Sequence, residues 1–180
     1  MQRVPHELYP QFELRVHDLR HPEFAQAVSK AMLNLPWLIR AGWSAIRDDI
    51  VLARPEDFPA KKDWIRKDFA GLPGSGGSFE AGFEKIQESK RVFTEAKTLL
   101  ESIRTRAGKN AHNIDFWLEG IDCNLLYTDF LIHTIEGSLR EEAAGLLERL
   151  ESLRDATRAL LSETYLPLGM EYDIGRRYGR

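Results

Sequence analysis

A chain of 180 residues, 43% apolar and 29% charged, has the composition of one globular core, or of one core with a small appendage. A net charge of −3 gives no general attraction to nucleic acid or an anionic membrane, and the single Cys123 excludes an internal disulfide and a cysteine metal cage. No apolar run approaches the roughly 20 residues of a membrane helix, and the opening MQRVPHELYPQF has no apolar h-region, so neither a membrane span nor a secretory signal is visible.

The first residues are mixed. Phe12, Leu14 and Val16 alternate with Glu13 and Arg15, a short strand-like start. HPEFAQAVSKAML then predicts a helix, with Pro22 in its first turn and Glu23 at its positive end. After Pro36, PWLIRAGWSAIRDDIVL predicts a second helix with Trp37, Ile39, Trp43 and Ile46 at near-helical spacing. FPAKKDWIRKDFAGL predicts a third, opened by Pro59, with Trp64, Ile65 and Phe69 facing inward and Gly71 at its C-terminal end. Residues 73–78, PGSGGS, hold no regular element and read as a flexible surface loop or an engineered linker. They divide the chain into a helical part, 1–72, and a second part, 79–180.

Three long helices follow. Phe79, Phe83, Ile86, Phe93, Leu100 and Ile103 form one seam, ended by RAGKN. Leu139, Ala143, Leu146, Leu150, Leu153, Thr157 and Leu160 form another. Such spacing with charged flanks predicts antiparallel packing at a shallow angle. The segment between them, roughly residues 112–136, is apolar on several sides, through Phe116, Trp117, Leu118, Ile121, Leu125, Leu126, Phe130 and Ile135 among others, which predicts a central helix. The fold class is therefore all-α: an antiparallel bundle of about six helices with a non-helical C-terminal tail.

The central helix also carries a polar stripe: Asp115, Glu119, Asp122, Asp129, His133 and Glu136 lie near one line at about 100° per residue. Carboxylates with an imidazole suit a hard or borderline metal, so Asp122, Asp129, His133 and Glu136 are candidate ligands; the stripe is also a candidate acid/base set. A di-iron bundle would need Glu-x-x-His motifs on two helices, which are absent. The structural alternative is a solvent face, or ion pairs with arginines of a neighbouring helix. His17 and His21 read as surface histidines, Cys123 as a small core residue, and PGSGGSF lacks the lysine of a P-loop. No complete catalytic site and no cofactor motif is evident.

The last helix, through Arg140, Leu146, Leu150 and Leu153, ends in SETYLPLGMEYDIGRRYG. With Pro167, Gly169, Glu171, Arg177, Tyr178 and Gly179 at its marked positions, the run from Phe79 onward resembles the C-terminal helical region of bacterial beta-N-acetylhexosaminidases and related glycoside hydrolases. The resemblance implies a helical accessory domain behind a catalytic barrel. The family's catalytic Asp-Glu pair lies in that barrel, so no residue here inherits it, and the implied partner is an adjacent catalytic domain. The other two expectations are a self-standing helical metal-binding or acid/base enzyme using the 115–136 stripe, and a helical protein-interaction module.

Overall fold

A computed structural model describes residues 22–34, 58–107 and 111–162, and every regular element among them is helical. The five described helices are α1 (Pro22–Asn34), α2 (Phe58–Ala70), α3 (Phe79–Arg104), α4 (Ala111–Glu136) and α5 (Leu139–Leu161). The strand-like start, the helix expected over 36–52 and the tail with Pro167, Gly169, Glu171, Arg177, Tyr178 and Gly179 lie outside the described residues. None of the described helices is long and apolar enough to cross a membrane.

α4 is the central element. It packs against α1, α2, α3 and α5, and every residue from Cys123 to Ile132 is buried. A helix enclosed on several sides must satisfy its polar side chains without water. Part of this is local: the Thr128 and Thr134 hydroxyls donate to the Asn124 and Phe130 carbonyls at 2.8 Å each, and Asn124 Nδ2 donates to Gly120 O at 2.7 Å, while Asn124 Oδ1 has no hydrogen-bond partner among the described residues. The α3 and α5 seams close on it. Phe93, Leu100 and Ile103 of α3 and Leu139, Leu146 and Leu150 of α5 share one buried cluster with Ile121, Leu126 and Phe130 of α4. Phe24 and Val28 of α1 and Ile65 and Phe69 of α2 belong to that same cluster, so helices on both sides of residues 73–78 contribute to one core.

The connection 71–78 is built by specific hydrogen bonds. Ser75 is 6% exposed; its hydroxyl donates to Ala70 O and accepts from Gly77 N. Its backbone N–H reaches Leu72 O at 3.0 Å, and its own carbonyl accepts from Ser78 N at 3.0 Å. Ser78 then caps α3 by accepting from Ala81 N at 3.2 Å and donates to Glu80 at 3.0 Å. This turn sets α2 very close to α3. A Cβ at Gly82 would lie 2.1 Å from the Phe69 carbonyl oxygen, so only glycine fits there. The approach also brings Phe69, Phe79 and Phe83 together, with ring centroids 5.7–6.2 Å apart. Trp64 departs from its expected inward position: α2 buries Ile65 and Phe69, and Trp64, one position off that narrow face, is 55% exposed.

Candidate functional site

The α4 stripe meets a matching row of cations on α3. Lys90, Lys97 and Arg104 stand seven residues apart, as do Asp115, Asp122 and Asp129. Seven residues return a helix to nearly the same face, so each row is a line. Lys90 Nζ lies 2.6 Å from Asp129 Oδ1, Lys97 Nζ lies 2.6 Å from Asp122 Oδ1, and Arg104 grips Asp115 with Nε and Nη2. The residue number rises along α3 as its partner's falls along α4. The pairing with Asp115 raises the Arg104 pKa above its ordinary value.

Asp129 receives a second cation from α5: Arg149 Nη1 donates to Oδ2 at 2.7 Å. Its side chain is 11% exposed, against 44% for Lys90 and 48% for Arg149, so it is the buried end of a three-charge junction between α3, α4 and α5. Lys90 approaches as a close charge contact without hydrogen-bond geometry at Oδ1. One helical turn from Asp122, Glu119 is 7% exposed and accepts from the Thr157 hydroxyl of α5 at 2.6 Å and from Cys123 Sγ at 3.5 Å. Cys123 is thus a buried free thiol, and Thr157, read from sequence as part of an apolar seam, is a polar tie between helices.

The four candidate metal ligands are not brought together. Asp122 is held by Lys97 and Asp129 by Lys90 and Arg149; the Nδ1 of His133 lies 2.9 Å from the Ser138 hydroxyl, and Glu136 is exposed. About 10 Å of helix rise separates Asp122 from Asp129. Among the described residues no group of three or more His, Cys, Asp or Glu is placed to hold a metal ion.

Beside the stripe, α4 and α5 diverge into a groove of about 590 Å³. His112, Asp115, Glu119 and Asp122 line one wall with Leu118, while Leu153, Ala156, Ala159 and Leu160 line the other. Two of the three carboxylates carry their cations from α3, and the third carries a hydroxyl from α5. Chemically, the arrangement fixes three helices to one another through charge.

Sequence reasoning found the acidic row and offered ion pairs with arginines of a neighbouring helix as one reading of it, but did not identify Lys90, Lys97, Arg104 and Arg149 as the partners. The signal was present as two heptad-spaced rows of opposite sign. Compared with known proteins, the chain matches no protein-family model, no curated sequence and no solved structure.

Proposed function

We propose that this chain is a non-catalytic helical accessory domain that packs beside the catalytic barrel of a carbohydrate-active enzyme resembling a glycoside hydrolase. The observation that carries the non-catalytic part is the engagement of Asp115, Asp122 and Asp129 by cations of neighbouring helices. A general acid or a nucleophile must present its carboxyl to substrate, and these present theirs to α3 and α5. The link to sugar cleavage rests on the resemblance of residues 79–180, with its marked positions from Pro167 to Gly179. The descending order of the α3–α4 pairs supports an antiparallel bundle, which reaches about six helices with the one expected over 36–52.

Two assays test this reading. The purified chain alone is offered an aryl N-acetylglucosaminide; no turnover is expected, and turnover abolished by Asp122→Asn would overturn the proposal. A barrel domain encoded in the same reading frame, or copurifying with the chain, is the expected partner. A second reading, a protein-interaction module, draws on the α4–α5 groove and its apolar wall at Leu153 and Leu160. It predicts self-association or capture of a partner segment, which light scattering detects.

A further inference from the structure

We draw no further inference here: the strongest candidate, the groove between α4 and α5 with its apolar wall at Leu153, Ala156 and Leu160, has its carboxylates Asp115, Glu119 and Asp122 already engaged by Arg104, Thr157 and Lys97, and nothing in the structure shows what covers it.

Discussion

Lys97 Nζ stands 2.6 Å from Asp122 Oδ1, the middle rung of a ladder that joins α3 to α4 at 90/129, 97/122 and 104/115. A one-turn slip of either helix would break all three rungs together. The ladder therefore selects the register in which the apolar seams meet, although each exposed rung contributes only about 0.2–1 kcal/mol.

The junction at Asp129 is the least replaceable rung. Its carboxylate is 11% exposed and holds both Lys90 and Arg149. Asp129→Ala leaves two cations facing a buried gap, but each is exposed enough to turn toward water. The expected cost is about 1–3 kcal/mol, read as a lower urea midpoint with an unchanged slope.

Gly82→Ala is expected to destabilise by at least about 1–3 kcal/mol, because the new Cβ would fall 2.1 Å from a backbone oxygen that cannot turn aside. The α2–α3 crossing must open, so hydrogen exchange should quicken first in α2. Gly120→Ala, whose Cβ meets nothing within 4 Å, is the control expected to hold or gain stability.

Much of this fold was legible in the sequence. The a/d seams of α3 and α5 and the many-sided apolarity of α4 gave the all-α class and the central helix. The stripe was visible too, but a row of acids on one helix does not say what it faces. Its partners become identifiable only when α3 and α4 are set side by side, because pairing depends on register. Gly82 carried no periodic signal, since close helix contact is a property of two backbones. Trp64 misled because its size suggested burial, while the buried face of α2 is only wide enough for Ile65 and Phe69. Ser75 looked like linker composition, and its role lies in hydrogen bonds that composition does not encode.

Three solvent-accessible carboxylates of α3 contribute to the loss of stability in acid. Hydrogen bonds from Lys30 to Glu95 and from Arg91 to Glu88 hold both carboxyls below their ordinary 4.5, and its own backbone N–H and then Ser78 do the same for Glu80. Below 4.5 the unfolded chain takes up protons that the folded chain still refuses. Stability present above 4.5 is therefore lost as pH falls through the folded values. Glu95→Gln should flatten that acid limb in urea titrations repeated at falling pH, and added salt should flatten it in the wild type.

The central claim is that the α4 carboxylates are structural rungs. The measurement that tests it most directly is a charge-swap cycle on Lys97 and Asp122, followed by urea denaturation. Lys97→Asp and Asp122→Lys should each lower stability, and the double variant should recover most of the loss, with a coupling of about 0.3–1 kcal/mol. A double variant no more stable than the sum of its single changes would contradict the claim.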